Sequence, residues 1–218
     1  MKSNQIISIL SSFVSEHKQR LIEEVLAKRT RHLTLVFEDI DKPHNVSAVL
    51  RTAEIMGLQD MHFIKNQNDY HVNPEITQGA AKWLTLHHHN EKQSTDNIDA
   101  AFSKLRSEGY QIFATSLGEG AMPVGDIDTS KKTAIVFGTE AIGITPHVAE
   151  HADGLVQIPM RGFTESFNLS VSAAIILTTL MKNYSPDWAL SDEEKLELKA
   201  EWYRKIVREA DKILARAN

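Results

Sequence analysis

The sequence predicts an α/β protein built on a mostly parallel sheet, and three observations carry that prediction. Short β-prone apolar runs alternate with helical stretches along most of the chain. Runs such as Leu33–Glu38 read as buried strands, as expected where helices cover both faces of a sheet. Glycines and polar residues collect directly after the β-prone runs, where parallel sheets gather their loops and bind ligands.

The elements follow in order. Ile6, Leu10, Phe13, Val14, Leu21 and Val25 fall at helical spacing and predict a helix over 5–27. A basic connector, residues 28–32, leads into a strand at 33–38. After a polar turn, Val46, Val49, Leu50, Ala53 and Met56 mark a helix stopped by Gly57. Further strands are expected at 61–64, 83–87, 110–114, 133–137 and 154–159. Helices are expected at 98–105 and, rich in Ser and Ala, at about 168–183. After Ser185-Pro186 the composition turns charged, and a single helix is expected to reach the C-terminus. The organisation expected is an N-terminal helical extension (1–30), an α/β domain (31–184) and a C-terminal helical extension (185–218).

Composition narrows the chemistry. The chain has 218 residues and no cysteine, which excludes disulfides, cysteine-ligated metal, iron–sulfur clusters and a cysteine nucleophile. Methylation at C5 of a pyrimidine through a cysteine adduct, and radical methylation on a cluster, are excluded with them. No apolar run is long enough to span a membrane, and the N-terminus lacks the basic and apolar regions of a signal peptide, so a cytoplasmic location is expected. Net charge is −5, unevenly spread: residues 1–32 and 199–218 each carry six basic and three acidic side chains. Basic ends flank an acidic middle, a distribution that points to an anionic partner or to nothing more than solvated helices.

Three segments carry candidate chemistry. In 42–53, Asn45 can orient a helix start, and Arg51 lies about a turn and a half further on. In 136–144, Gly138 and Gly143 permit tight turns or close approach to a ligand. In 158–172, Ser166 and Asn168 alternate with Phe167 just before a helix. Taken singly, each also reads as an ordinary cap, a solvated arginine or a turn glycine.

Together, in order and internal spacing, these segments resemble the three motifs of the SpoU family of RNA 2′-O-ribose methyltransferases. Asn45 and Arg51 resemble the first-motif pair, Glu140 with its flanking glycines the second, and Ser166 with Asn168 the third. The resemblance covers roughly residues 31–183. It implies a parallel α/β sheet whose C-terminal part forms a deep trefoil knot, a feature no periodicity reveals. It also implies S-adenosyl-L-methionine as cofactor, held by Thr115, Gly138, Thr139, Glu140, Ala141, Ile142, Ile158 and Phe167, and a homodimer whose paired knots complete each site. Arg51 is the implied activator of the ribose hydroxyl, as a phosphate-assisted base or as an electrostatic stabiliser of the alkoxide. Asn45, Glu140, Ser166 and Asn168 are implied to orient groups and shape the pocket. Ala141-Ile142, Phe167 and Arg161 depart from the usual family residues.

Within the family, the Lys-Pro-His-Asn-Val-Ser-Ala run at 42–48 and the charged C-terminal helix resemble members that methylate a tRNA guanosine, with the D-loop guanosine at position 18 the implied target. The alternatives are ribosomal RNA or the tRNA wobble ribose, and, outside the class, a non-catalytic RNA-binding protein. Some 30 residues before the first strand are too few for the separate RNA-binding domain of ribosomal RNA members. Arg204, Arg208, Lys212 and Arg216 are spaced four apart and predict one cationic stripe along a helix that can follow phosphates. Arg29 and Arg31 extend the expected RNA contact. Trp202, Ile206, Val207, Ile213 and Leu214 predict the docked side of that helix. No metal is expected: adjacent residues of His87-His88-His89 point to opposite faces of a strand, and the run reads as a solvated strand end. Gly118-Glu119-Gly120 lacks the third glycine of a dinucleotide loop.

Overall fold

The computed structural model describes residues 1–40, 42–65, 77, 79–90 and 95–217. The chain divides into two compact units, Arg31–Ser185 and the pair of segments Met1–Thr30 and Pro186–Asn218.

In the larger unit, strands β1 (Leu33–Glu38), β2 (Asp60–Ile64), β3 (Thr85–His89), β4 (Gln111–Thr115), β5 (Met122–Pro123), β6 (Thr133–Phe137) and β7 (Gly154–Gln157) form one sheet. Their order is β3-β2-β1-β6-β4-β7-β5, and all six pairings are parallel. Central β1 and β6 are buried along their whole length and pair from Leu33↔Thr133 to Phe37↔Phe137. Phe37 stacks on Phe63 and Phe137 across three strands, with ring centroids 5.1 and 6.1 Å away. Helix α3 (Pro43–Ile55) buries Val46, Val49, Leu50 and Ala53 completely. Helix α4 (Thr95–Ser107) packs Ile98, Ala101, Phe102 and Leu105 against Val36, Ile112 and Val136. Each such large apolar side chain contributes about 1.5–3 kcal/mol relative to exposure. Helices α5 (Pro146–His151) and α6 (Leu169–Met181) follow β6 and β7, and α6 packs against α3.

Two expectations in this unit are corrected. The strand expected at 83–87 runs from Thr85 to His89, because Gly79 (φ +79°) opens a 3₁₀ turn over Ala80–Trp83 and β3 pairs with β2 only from Asp60↔Thr85 onward. The histidine run is not a solvated end. His62 lies beside His87 with ring centroids 4.4 Å apart, and His62 Nδ1 is 3.1 Å from His89 Nε2. His87 Nε2 meets Asp60 Oδ1 at 3.0 Å. Burial first, then the neighbouring histidines, push His62 down to about 3 and His89 to about 4. Burial opposes ionisation of Asp60, but His87 and Arg31 hold its carboxyl below the usual range.

In the smaller unit, the single helix expected at 5–27 is two: α1 (Ser3–Leu10), a 3₁₀ turn at Ser11–Phe13, and α2 (Glu16–Leu26). The Ser11 and Ser12 hydroxyls donate to Ser8 and Ile9 carbonyls, and Ser15 caps α2 by accepting from the Lys18 amide. The C-terminal segment is also two helices. Helix α7 (Asp192–Ile206) starts on a capping box of Ser191 and Glu194. It ends at extended Val207, and Glu209 (φ +57°) starts α8 (Ala210–Arg216). One straight helix over 192–216 would be roughly 37 Å long, against roughly 12 Å for the eight residues of α1. The break lets both α7 and α8 pack on α1, burying Trp202, Tyr203, Val207, Ala210 and Leu214.

Candidate active site

At the carboxyl ends of β4, β6 and β7 lies a cleft of about 770 Å³. Residues 115–117, 138–144, 156–158 and 165–169 line it, one group per strand end and one from the segment entering α6. The loop after β6 is closed by its own backbone. Thr139 N–H donates to the Gly143 carbonyl at 3.0 Å, and Gly143 N–H donates to the Thr139 carbonyl at 2.9 Å. The Ile142 amide donates to Thr139 Oγ1 at 3.1 Å. Gly143 has φ +78°, and a Cβ on Gly138 would lie 2.1 Å from the Gly143 carbonyl carbon and oxygen. Only glycine fits at 138, because backbone occupies the side-chain position.

The far end of this loop is tied to β1. The buried carboxylate of Glu38 accepts from Thr145 N–H at 2.9 Å and from Thr145 Oγ1 at 2.6 Å. Burial pushes the Glu38 carboxyl above the usual range, against the lowering effect of the Thr145 bonds. Thr145 in turn caps α5 by accepting from Val148 N–H. Loop closure therefore rests on β1 at one point and on α5 at the next.

A hydrogen-bond chain joins the three sequence segments beside the cleft. One Glu140 carboxylate oxygen accepts from Asn45 Nδ2 and the other from Lys42 Nζ. Asn45 Oδ1 accepts from Asn168 Nδ2 at 3.2 Å, and Asn168 Oδ1 accepts from the Ser170 amide at 2.9 Å and the Ser170 hydroxyl at 2.7 Å. A carboxylate only accepts, so Glu140 fixes which end of the Asn45 amide faces Asn168. The start of α3, the loop after β6 and the cap of α6 are thereby held in one arrangement.

All eight residues expected to hold a cofactor line this one cleft: Thr115, Gly138, Thr139, Glu140, Ala141, Ile142, Ile158 and Phe167. Ser166 and Asn168 line it as well, and Asn45 joins them through Glu140. Arg51 stands apart. It is exposed, makes no hydrogen bond or ion pair among the described residues, and does not line the cleft. Six residues along a helix turn it about 120° from Asn45, so one face cannot present both. Lys42 and Ser170 were not singled out in the sequence. Lys42 stands inside the first motif, three residues before Asn45, and that position was its available signal.

The expected RNA contacts separate into two groups. Arg204, Arg208, Lys212 and Arg216 are exposed, but the break at Val207–Glu209 prevents the single stripe, and Lys212 pairs with Glu209 at 3.0 Å. Arg29 is corrected: its side chain is buried, with the guanidinium 5.4 Å from the Trp202 ring centroid. Arg31 keeps a quarter of its side chain exposed, with its Nε held by the largely buried Asp60 carboxylate at 2.8 Å.

Comparison with known proteins bears on this arrangement. The model of the family described as "SpoU rRNA Methylase family" matches residues 32–178. The chain is 40% identical over 205 residues to the tRNA (guanosine(18)-2'-O)-methyltransferase of Borreliella burgdorferi, covering 93% of this chain and 91% of that protein. It is 37% identical over 163 residues to the Thermus thermophilus enzyme of the same description, covering 75% and 81%. The crystal structure of the A. aeolicus TrmH/SpoU tRNA modifying enzyme superposes with a TM-score of 0.78 at 28% identity, covering 89% of this chain and 98% of that one. With its matching model spanning the sheet, the cleft and all three hydrogen-bonded segments, the chain belongs to the SpoU methylase family.

Proposed function

We propose that this protein methylates the ribose 2′-hydroxyl of a tRNA guanosine, the D-loop guanosine at position 18, with S-adenosyl-L-methionine as methyl donor. The observation that carries the reading is the hydrogen-bond chain from Lys42 and Asn45 through Glu140 to Asn168 at the rim of the cleft. The names of the relatives at 37–40% identity supply the substrate.

The cleft fits the cofactor. Its volume of about 770 Å³ falls within the roughly 300–1,000 Å³ of ligand pockets. Backbone of 138–144 and 156–158 supplies polar contacts, while Leu117, Ile142, Ile158 and Phe167 supply apolar walls for a flat ring. The Gly138 cradle, which a Cβ would block, lets backbone close around a ligand. The cofactor supplies an electrophilic methyl group on a sulfonium. The protein aligns the hydroxyl with it, and alignment of this kind is worth about 7–11 kcal/mol. Glu140, Asn45 and Asn168 hold the rim rigid; Ser166 offers a hydroxyl at the same rim. Arg51 binds a substrate phosphate and stabilises the developing alkoxide.

The same reading includes a trefoil knot, formed as the segment after β7 returns to cap α6 beside α3, and supported by the likeness to the SpoU structure. It includes a homodimer. Exposed Ile142, Phe163, Phe167 and Val171 are large apolar groups around the cleft and the α6 entry, and Arg51 is exposed with no hydrogen bond or ion pair among the described residues. Residues 31–184 form the catalytic domain, and the terminal helices contact tRNA through Arg204, Arg208, Lys212 and Arg216. Among the described residues no helix is long and apolar enough to cross a membrane, and the site of action is the cytoplasm.

The test is mass-spectrometric mapping of nucleosides after incubating unmodified tRNA with the protein and labelled S-adenosyl-L-methionine. A single 2′-O-methylguanosine in the D-loop is expected. Label at the wobble ribose, label only in ribosomal RNA, or no transfer would overturn the assignment.

A further inference from the structure

We propose that Asp99, His147 and His151 form a site for a divalent first-row transition ion, with Zn²⁺ or Ni²⁺ the best matched. One ligand atom from each lies within 4.8 Å of the others. His147 and His151 are four apart on α5, and that spacing puts both rings on one helix face. Asp99 comes from α4, 48 residues away in sequence, so spacing alone does not single out the group.

The local geometry has the features of a ligand set. His147 Nε2 is 2.8 Å from Asp99 Oδ1. Two donors at about 2.0–2.1 Å from one ion lie about 2.9 Å apart at a right angle, so this pair already has the separation of adjacent ligands. His151 Nδ1 is 2.8 Å from the His147 carbonyl and donates to it. That bond fixes the tautomer with Nε2 as the free donor atom, the backbone-carbonyl arrangement that orients metal-bound histidines. The His147 and His151 rings are stacked, with centroids 4.1 Å apart at 29°. In a tetrahedral site donors sit about 3.4 Å apart, so the widest separation closes by about 1–2 Å, within reach of small shifts of the exposed Asp99 and His151 side chains. Two imidazoles and one carboxylate favour zinc, nickel or copper over magnesium and calcium, which prefer all-oxygen sites. They leave at least one position for water or another ligand. An ion here would pin α5 to α4, and α5 is capped by Thr145, the residue Glu38 holds at the end of the cleft loop.

The experiment is calorimetric titration of Zn²⁺ into the full chain after chelator treatment, with thermal unfolding followed in parallel. One ion per chain with micromolar affinity and a raised Tm is expected. Affinity should fall at least about tenfold in His147→Ala and again in His151→Ala, with a smaller loss in Asp99→Asn. All three side chains lie at or near the surface, so the variants fold. A His87→Gln/His88→Gln/His89→Gln triple variant should retain the ion. No binding at 100-fold excess of free ion over a micromolar constant, or unchanged binding in the His147→Ala/His151→Ala double variant, would overturn the proposal.

Discussion

Replacing Gly138 with alanine isolates the part that loop closure plays in cofactor binding. The new Cβ would sit 2.1 Å from the Gly143 carbonyl and 2.2 Å from Ile144 N, more than an ångström inside normal contact. These neighbours are backbone, so no side-chain rotation relieves the overlap and the loop has to open. Opening breaks the reciprocal Thr139–Gly143 hydrogen bonds of 3.0 and 2.9 Å. At about 0.5–1.5 kcal/mol net each, the loss is about 1–3 kcal/mol, borne by the loop rather than by the sheet. At 1.4 kcal/mol per decade, cofactor Kd should rise about 5- to 140-fold. Gly143→Ala is the matched comparison: nothing lies within 4 Å of its Cβ, but φ is +78°. It carries only the left-handed penalty of about 1–2 kcal/mol, so its effect should be the smaller. Titration of S-adenosyl-L-methionine by calorimetry reads both variants, with Tm as the control for global folding. An unchanged Kd in Gly138→Ala, or a larger loss in Gly143→Ala, would show that loop closure does not govern the cleft.

Three further outcomes follow from the structure. Arg51→Ala should lower methyl transfer by more than tenfold while Tm and cofactor affinity stay near wild type, since Arg51 is exposed and unbonded among the described residues; retained turnover above a tenth would remove it from the activating role. Charge reversal of Arg204 and Arg208 keeps the buried Trp202 and Val207 face and should weaken tRNA binding and flatten its dependence on log salt by about one to two, whereas an unchanged slope would make these arginines solvated groups only. His62 and His89 are held at about 3 and about 4 when folded, below the unfolded value of about 6.5. The unfolded chain therefore binds more protons, and stability present above pH 6.5 is lost as pH falls toward 3. His62 alone accounts for roughly 3 kcal/mol by pH 4. Urea unfolding at pH 7 and pH 4 measures the drop, and an equal drop in His62→Gln would place the effect elsewhere.

Much of the site was legible because its segments are continuous in sequence. Each of 42–53, 136–144 and 158–172 carries its polar residues and apolar anchors, and the last two their glycines, within a dozen or so positions, and strand ends bring such segments together in any parallel sheet. Lys42 was not singled out because its place in the first motif assigns it no role; the fold does, by bringing it to Glu140, 98 residues away.

The sequence by itself determined most of the strands and the helices between them, because apolar period, caps and turn residues act over a few positions. Buried β1 and β6, the apolar face of α3 and the Asn168 cap of α6 all follow from local pattern. Strand order did not, since pairing β6 with β1 and β4 is a choice among distant partners that backbone hydrogen bonds make equally well. Two-residue β5 is too short to carry any period. The fate of the charges was likewise decided in three dimensions. Arg29 and Arg31 read like basic surface in a connector, yet one is buried over Trp202 and the other is held by Asp60. The cationic stripe breaks at Glu209 because two short helices cover α1 where one long helix would run past it. A charge's partner depends on what the fold brings within a few ångströms of it, and that distance is set by packing, not by spacing along the chain.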